Sequence, residues 1–205
     1  MKTVRSPFFF RWFNSDYLVC DFPKKEKVIY LTFDDGPVPE VTPITLEILR
    51  KYEAKATFFL VGDNVRKYPQ LFDNLIAEGH SIGNHTFHHL NGWQTPPGAY
   101  LEDVTHCDEF FSTHLFRPPY GRFTPTQYLL LRKKFRFVLW SVLTNDFNRN
   151  TSPEECLDLT IRNTKSGSIV VFHDSLKALE KMRYALPRFL EHFYELGYSF
   201  TTIPD

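Results

Sequence analysis

Two histidines four residues apart, His85 and His89, give the first signal of chemistry in this sequence. One helical turn, or a tight loop of that shape, would aim both imidazoles at one point. Together with a carboxylate they would form a two-histidine, one-carboxylate site for a divalent metal, with positions left open for water and substrate. Two histidines at this spacing alone fit surface residues, or a core histidine and its neighbour, equally well.

Two adjacent carboxylates, Asp34 and Asp35, supply the missing ligand type. Successive side chains diverge, so only one of them can easily reach a metal held by the histidines. The other is then free to act as a base toward water. The alternative interpretation is an ordinary turn, since Asp-Gly-Pro is a common loop sequence.

Three further residues suggest acid chemistry and orientation of a carboxylate. A bond from Asp146 to one imidazole nitrogen of His173 would fix the tautomer and favour the imidazolium, as a general acid requires. Taken alone, His173 could equally be structural. Arg117 stands before two prolines, which would hold it rigidly, and its planar guanidinium suits the orientation of a carboxylate. The alternative for Arg117 is an ordinary surface charge.

The positions of these residues in the predicted fold are stronger evidence for a shared site than any single residue is. Five polar clusters each follow directly after a predicted strand, and in a parallel barrel such loops share one face. We therefore expect them to converge on one site. The clusters are Asp34–Pro37, Asn84–His89, Arg117–Gly121, Asn145–Phe147 and His173–Asp174.

The elements that must position these clusters alternate between strands and helices. Strands are predicted at 28–33, 57–61, 80–83, 115–116, 135–142, 168–172 and 199–203. Helices are predicted at 42–52, 71–79, 101–111, 124–134, 152–165 and 176–196, the last interrupted at Pro187. This alternation predicts a mostly parallel sheet, open or closed into a barrel. About seven such units fit, one short of a full eight-fold barrel.

Length and composition exclude several classes of protein. A chain of 205 residues with 42% hydrophobic and 23% charged residues predicts one globular domain. The chain has 21 Phe, 10 Tyr and 3 Trp, and we expect most of them in the core and some along a groove. The formal net charge is zero, which argues against a nucleic-acid partner. No apolar run is long enough for a transmembrane helix.

Localisation is left open by the sequence. Arg11 cuts the N-terminal apolar run after three Phe residues, which is too short for an export signal. We therefore expect a cytoplasmic protein, or an exported or cell-wall-associated one if the N-terminus was trimmed. The three widely spaced cysteines form no metal or redox motif and suggest a reducing compartment.

With these motifs the chain resembles the polysaccharide deacetylase family, the NodB-homology domain of carbohydrate esterase family four. The family's first motif, Thr-Phe-Asp-Asp-Gly-Pro, is complete at 32–37. The second, His-Ser/Thr-x-x-His, is 85–89, and the third, Arg-x-Pro-x-Gly, is 117–121. The fourth, Asp-x-x-Asp-Trp, has Leu143 and Phe147 in place of its first and last residues. The fifth, Leu-x-His, has Val171 for its leucine.

The resemblance covers about 28–203. It divides the chain into an N-terminal extension at 1–27 and a catalytic domain at 28–205. It implies a single-domain deformed (β/α) barrel that binds one divalent metal ion. Zinc is the first choice, with cobalt, nickel, iron or manganese as alternatives. The departures in the fourth and fifth motifs bear on the shape of the groove, and so on the substrate.

The resemblance also implies a role for each matching residue. The implied catalytic residues are Asp34 as general base, Arg117 as the residue that orients it, Tyr120 as an oxyanion donor through its backbone N–H, and Asp146 with His173 as the acid pair. The implied metal ligands are Asp35, His85 and His89. The implied pocket for the acetyl methyl is Pro119, Phe147 and Val171.

The function implied is metal-dependent hydrolysis of N-acetyl or O-acetyl groups on an amino-sugar polymer or oligosaccharide, such as a chitin-like or peptidoglycan glycan. One alternative is a small-molecule amidase of the same fold, which a blocked cleft over the metal would favour. Another is a carbohydrate-binding pseudoenzyme. The complete set of base, ligands and acid weighs against it, because binding alone needs neither Asp34 nor His173. The glycan, the acyl group and the oligomeric state are left open.

Overall fold

The protein is described here from a computed structural model that covers residues 17–23 and 26–204. Residues 1–16, which carry the N-terminal apolar run, lie outside the described residues. Within the described ranges nine strands form one sheet, and every pair of strands in it is parallel. The strands are β1 (Leu18–Val19), β2 (Val28–Asp34), β3 (Thr57–Leu60), β4 (Ser81–Asn84), β5 (Leu115–Phe116), β6 (Arg136–Val138), β7 (Val142–Leu143), β8 (Ile169–His173) and β9 (Ser199–Thr201).

The sheet is centred on β2. The strand order is β1-β6-β5-β4-β3-β2-β8-β7, and β9 pairs with the first half of β2. The two ends of the sheet approach each other, since Asp21, which follows β1, forms a bridge with Ser168, which directly precedes β8. The predicted deformed (β/α) barrel with mostly parallel strands is confirmed.

The helices follow the strands. They are α1 (Thr42–Lys51), α2 (Gly62–Lys67), α3 (Pro69–Ala77), α4 (Pro97–His106), α5 (Pro125–Leu131), α6 (Pro153–Asn163) and α7 (Leu179–Glu195). Short local interactions fix where two of them begin. The Ser152 hydroxyl accepts a hydrogen bond from Glu155 N, and Thr124 forms a reciprocal capping box with Gln127. None of the helices in the described part of the chain has the length and apolar content needed to cross a bilayer.

The single strand predicted at 135–142 is wrong. The chain leaves the sheet after Val138 and rejoins it as β7, so β6 pairs with β1 and β5 while β7 pairs with β8. The cause is a buried side chain: the guanidinium of Arg117 donates to the carbonyls of Val138 and Leu139. Those carbonyls are therefore bonded to a side chain at the point where a continuous strand would carry on.

The predicted interruption at Pro187 is also wrong, because α7 runs through it. A proline inside a helix removes one backbone hydrogen bond and crowds the preceding turn. Here an apolar stripe packed into the core outweighs that cost. The stripe consists of Met182, Ala185, Leu186, Phe189, Leu190 and Phe193.

The first strand was not predicted. Leu18 and Val19 fall in the segment set apart as an N-terminal extension, yet they pair with Phe137 and Val138 of β6. A two-residue strand has no periodicity to detect in the sequence. All three cysteines are buried, and no disulfide bond joins them.

The tight packing between β3 and β4 gives a stability prediction. Gly83 pairs with Phe59, and a Cβ at Gly83 would come within 2.4 Å of the Phe59 ring. We expect Gly83→Ala to lower the free energy of unfolding by about 1–3 kcal/mol, the usual cost of overpacking a core. Gly98→Ala is the matched control, because a Cβ at Gly98 in α4 meets nothing within 4 Å. Denaturant unfolding of both variants measures the difference, and equal stabilities would contradict this packing.

Candidate active site

The polar clusters predicted to share one face do meet there. Strands β2, β4 and β8 end at Asp34, Asn84 and His173, at the same edge of the barrel. They surround a pocket of about 220 Å³. The pocket is lined by Asp34, Asp35, His85, His89, Pro118, Tyr120, Trp140, Leu143, Phe147, His173 and Lys177.

Three of these residues form the one potential metal-binding group found among the described residues: Asp35, His85 and His89. Their ligand atoms lie within 4.8 Å of one another. Nε2 of His89 is 3.1 Å from Asp35 Oδ1, and Nε2 of His85 is 3.8 Å from the same oxygen. Two imidazole nitrogens and one carboxylate oxygen are a donor set that suits zinc and other first-row divalent ions.

The protonation state of His85 also suits a ligand. Its Nδ1 lies 2.6 Å from the carbonyl oxygen of Arg117, which can only accept, so Nδ1 carries the proton. The lone pair is therefore on Nε2, the atom that faces Asp35. Burial lowers the pKa of His85 to about 4 despite the nearby carboxylate of Asp34, so the ring is neutral. A second ring nitrogen bonded to a carbonyl is the usual way to orient a metal-binding histidine.

A strained loop, and not a helical turn, brings the two histidines together. Thr86 and His89 have φ values of 63° and 57°, in the left-handed region that residues other than glycine rarely adopt. Asp103 of α4 stabilises this loop by accepting hydrogen bonds from the backbone N–H groups of Phe87 and His88. Asp103 also contacts the His88 ring, so His88 faces away from the ligand group. No sequence pattern indicated this role for Asp103.

Asp35 is held in its anionic form. Burial alone would raise its pKa, but the hydrogen bond with His89 and the charges of His173, His85 and His89 outweigh burial, and the pKa lies well below its usual range. Its backbone φ of 78° turns it away from the direction of the strand that Asp34 ends. The two adjacent carboxylates thus diverge as expected, and the donor set fits a divalent metal through Asp35.

Asp34 contacts a different partner. Its Oδ1 accepts a hydrogen bond from Nη1 of Arg117 at 2.7 Å. Its Oδ2 lies 4.0 Å from Nε2 of His85, next to the ligand group without belonging to it. Asp34 is therefore oriented by a guanidinium and has one oxygen directed toward the centre of the pocket.

Arg117 is fully buried and fixed by four hydrogen bonds. Besides Asp34 and the carbonyls of Val138 and Leu139, it donates to the hydroxyl of Thr32 at 2.8 Å. Its guanidinium also lies over the ring of Phe59, 4.0 Å from the centroid. Burial lowers the pKa of Arg117, although the charge of Asp34 opposes this, and a guanidinium remains charged in either case. The interpretation of Arg117 as a surface charge is wrong.

Asp146 and His173 form the predicted pair. Oδ1 of Asp146 is 2.7 Å from Nδ1 of His173, and Oδ2 accepts the backbone N–H of the same residue at 2.7 Å. Burial would lower the pKa of His173, but the charge and hydrogen bond of Asp146, together with Asp35 and Asp34, raise it to about 9. The ring is thus an imidazolium at neutral pH, with Nε2–H as its second donor.

Tyr120 occupies a tight turn beside the pocket, with φ of 60°. The turn is closed by the N–H groups of Gly121 and Arg122, which donate to the carbonyls of Pro118 and Pro119. The N–H of Tyr120 takes no part in these bonds. The side chain of Tyr120 packs edge-on against His89, with the ring centroids 4.9 Å apart.

The pocket wall differs in part from the expected one. Phe147 lines the pocket and packs edge-on against His173, with a centroid separation of 4.8 Å. Pro119 and Val171 are buried beside the pocket and are absent from its lining. Because side chains alternate along a strand, Val171 and His173 share one face of β8, and Val171 lies deeper in the barrel.

Two residues of the wall, Trp140 and Lys177, had no signal in the sequence as site residues, and Leu143 was indicated only as a departure from the fourth family motif. Trp140 lies within the break between β6 and β7 and Leu143 is the last residue of β7, so the positions of both depend on that break. Lys177 follows β8, and its Nζ lies 3.5 Å from Asp35 Oδ2. Leu143, where the family motif has its first Asp, makes this part of the wall apolar.

Asp174, next to His173, points to the other side of the sheet. Its carboxyl group accepts hydrogen bonds from the hydroxyls of Thr42 and Thr45 in α1. Burial raises the pKa of Asp174 to about 7, although the two hydroxyls oppose this. A Cβ at Gly36 would lie 2.3 Å from Oδ2 of Asp174, so the turn after Asp35 requires glycine at this point. Asp174 thus supports the Asp35 turn from behind.

Comparisons with known proteins agree with this geometry. Residues 21–136 match the family Polysaccharide deacetylase. The chain is 34% identical over 196 residues to a peptidoglycan-N-acetylglucosamine deacetylase of Bacillus cereus, covering 92% of each chain. It is 39% identical over 162 residues to a chitooligosaccharide deacetylase of Azorhizobium caulinodans, covering 74% of this chain and 75% of the other.

A solved structure shows the same fold. The crystal structure of the Bc1960 peptidoglycan N-acetylglucosamine deacetylase superposes with a TM-score of 0.89 at 30% identity, covering 97% of this chain and 95% of the other. The match to the family extends over more than half of the sequence, and the similarity to curated relatives extends over nearly all of it. The chain therefore belongs to the polysaccharide deacetylase family.

Proposed function

We propose that this protein is a metal-dependent hydrolase that removes N-acetyl groups from an amino sugar of a glycan, with peptidoglycan-like and chitin-like chains as the substrate class. One observation carries the proposal. A carboxylate oriented by a buried arginine, a potential metal-binding group and an imidazolium paired with a buried carboxylate all line one pocket of about 220 Å³.

The metal would be held by Asp35, His85 and His89, and zinc is the ion that best suits two imidazoles and one carboxylate. When bound, it would polarise the acetamide carbonyl and lower the pKa of water. The side chains around it then move the protons. Asp34, held by Arg117, accepts the proton of the attacking water through its free oxygen.

Two further groups act on the substrate. The backbone N–H of Tyr120, at the rim of the pocket, donates a hydrogen bond to the oxygen on which negative charge develops. His173 donates its Nε2 proton to the departing amine, which is a very poor leaving group without it. Phe147, against the His173 ring, and the apolar Leu143 exclude water from the acetyl methyl.

Release of acetate from defined glycans tests the proposal. The full chain, loaded with zinc, is incubated with peptidoglycan fragments, chitooligosaccharides and acetylated xylan, each with and without a chelator. We expect acetate from at least one of the two N-acetylated glycans, its loss on chelation, and its return on addition of a divalent metal. Release from acetylated xylan alone would make the protein an O-deacetylase. Binding without release would make it a pseudoenzyme.

The His173 pair gives a prediction that separates amides from esters. We expect His173→Ala to lose acetamide hydrolysis by about a hundredfold, the lower end of the range for general acid catalysis, because the ring is partly open to water that can deliver a proton. It should keep a larger fraction of its hydrolysis of an activated aryl acetate, since a phenolate leaves unaided. An equal proportional loss on both substrates would point to a structural or oxyanion-binding histidine.

The pH dependence follows from the same contact. Asp146 raises the pKa of His173 to about 9, so the acid form persists through neutral pH and is lost only as pH rises through that value. Asp146→Asn removes the charge, lowers the pKa and should move the basic limb of acetamide hydrolysis to lower pH, with metal content unchanged. Rate profiles of the two proteins measure the shift. An unmoved basic limb would assign it to another group.

A further inference from the structure

Three exposed side chains form a continuous strip that leads away from the pocket. The strip consists of Tyr120, Arg122 and Trp93, and all three are exposed. Trp93 has 66% of its surface open to solvent and Tyr120 has 58%. Large aromatic groups that stay exposed side by side are a frequent mark of a binding surface.

The strip is built rigidly. The backbone N–H of Trp93 donates to the side chain of Asn91 at 3.1 Å, and its indole N–H donates to the Phe123 carbonyl at 3.3 Å. The loop below it is fastened by the buried side chain of Gln127, which donates to the carbonyls of Gly92 and Thr95. Trp93 therefore stays outside the core because its loop holds it there.

Glycine is required at one point of this attachment. A Cβ at Gly92 would lie 2.4 Å from the carbonyl oxygen of Arg122 and 2.8 Å from Oε1 of Gln127. The loop after β4 and the loop after β5 thus touch backbone to backbone. That contact sets the spacing between Trp93 and Arg122.

Arg122 lies between the two rings. Its guanidinium carbon is 4.9 Å from the centroid of the Trp93 ring and 5.9 Å from that of Tyr120. Within the described residues no carboxylate lies close enough to form an ion pair with Arg122. Stacking on aromatic faces fixes a guanidinium and leaves its N–H edge free for an anion.

The strip is continuous with the pocket. The Tyr120 ring packs against His89 at one end, and Tyr120 lines the pocket. The pocket volume of about 220 Å³ is below the roughly 300–1,000 Å³ of sites that enclose drug-sized ligands. A glycan longer than one sugar must therefore extend over the surface outside, and aromatic faces are apolar platforms for the apolar face of a sugar ring.

We propose that the strip of Tyr120, Arg122 and Trp93 binds the sugar next to the one that is deacetylated, and that this neighbouring sugar carries a carboxylate that pairs with Arg122. The inference rests on the proposed function and narrows its substrate class from glycans in general to glycans with a carboxylate on the residue beside the N-acetylated one. An alternating chain of N-acetylglucosamine and N-acetylmuramic acid without stem peptides, in which each lactyl ether ends in a free carboxylate, has this chemistry. A chitin-like chain lacks it.

Steady-state kinetics on three matched tetrasaccharides test the inference: the alternating glycan, the same glycan with its carboxylates as methyl esters, and the neutral chitin-type oligomer. We expect Arg122→Gln to raise KM for the carboxylate form about tenfold, with kcat little changed, and to leave the two neutral substrates unaffected. Trp93→Ala should raise KM about three- to tenfold for all three, because it removes the apolar platform on which the sugar ring packs.

Arg132→Gln is the matched control. Arg132 is an exposed arginine that lies over the rings of Tyr17 and Tyr128, and it is absent from the lining of the pocket. Its replacement should leave all three KM values unchanged. The inference is overturned if Arg122→Gln changes KM equally for charged and neutral substrates, or changes none, or if Arg132→Gln has the same effect.

Calorimetric binding of the same tetrasaccharides to the zinc-loaded full chain separates this inference from the proposed function. If the wild type releases no acetate but binds the carboxylate form more tightly than Arg122→Gln does, the proposed function is refuted and the inference about the strip is supported. If acetate is released while neither KM nor Kd depends on Arg122, the proposed function is supported and the inference about the strip is refuted. Absence of both release and binding overturns both.

Discussion

Replacement of His89 by alanine is expected to remove stoichiometric metal and nearly all hydrolase activity. His89 supplies one of only two imidazole nitrogens in the ligand group, 3.1 Å from Asp35 Oδ1. Loss of a residue that merely orients a ligand costs about 10–100-fold in metal affinity, and loss of the ligand itself costs more. His85→Ala should have the same effect and should also free the Arg117 carbonyl that His85 Nδ1–H bonds.

His88→Ala is the control for this experiment. His88 is in the same loop, but its ring contacts Asp103 and it lies outside the ligand group. We expect it to keep both metal and activity. Elemental analysis after gel filtration measures the metal, and acetate release with and without added zinc measures recovery. An His89→Ala protein that is fully loaded and active would refute the ligand assignment.

The convergence of the site could be predicted because it depends on topology. Asp34 and His173 each end a strand, and parallel strands place their carboxyl ends at one edge whatever the details of packing. The contact between Asp146 and His173 followed from the same argument. The two prolines after Arg117 suggested that it orients a carboxylate, but Asp34 was identified as that carboxylate only through the family resemblance.

The features that could not be predicted depend on long-range contacts of single side chains. The break between β6 and β7 exists because the guanidinium of Arg117 donates hydrogen bonds to two backbone carbonyls more than twenty residues further along the chain. No local sequence pattern at 135–142 indicates these bonds. The wall residues Trp140 and Leu143 depend on that break. The helix was predicted to be interrupted at Pro187 because of the low helix propensity of proline, but packing of the buried apolar stripe keeps α7 continuous.

The charged side chains are paired differently at the pocket and along the strip. At the pocket every carboxylate has a partner: Asp34 has Arg117, Asp35 has His89, and Asp146 has His173. Along the strip, Arg122 has aromatic rings on its faces and, among the residues that the structure describes, no carboxylate at its N–H edge. A pocket whose carboxylates are all paired suits hydrolysis of a small acetamide, whereas an arginine whose N–H edge is free suits recognition of an anionic glycan.

Asp34→Asn is expected to keep the metal and lose turnover by roughly two to four orders of magnitude, the scale of a general base. The amide has the shape of the carboxylate and can still accept the hydrogen bond from Arg117, but it cannot take a proton from water. Asp35→Asn should instead lower metal affinity first, because Asp35 belongs to the ligand group and Asp34 does not. High zinc should then restore part of the activity of Asp35→Asn and none of that of Asp34→Asn.

The stability of Asp34→Asn must be measured together with its turnover. Asp34 neutralises the fully buried Arg117, and removal of one partner of a buried ion pair typically costs about 3–5 kcal/mol of stability. Denaturant unfolding of Asp34→Asn therefore has to show that the protein is folded under assay conditions before its turnover is interpreted. Metal titration of both variants then decides the assignment. Equal losses of metal affinity would mean that the two carboxylates share the ligand role, and loss in Asp34→Asn alone would mean that their roles are reversed.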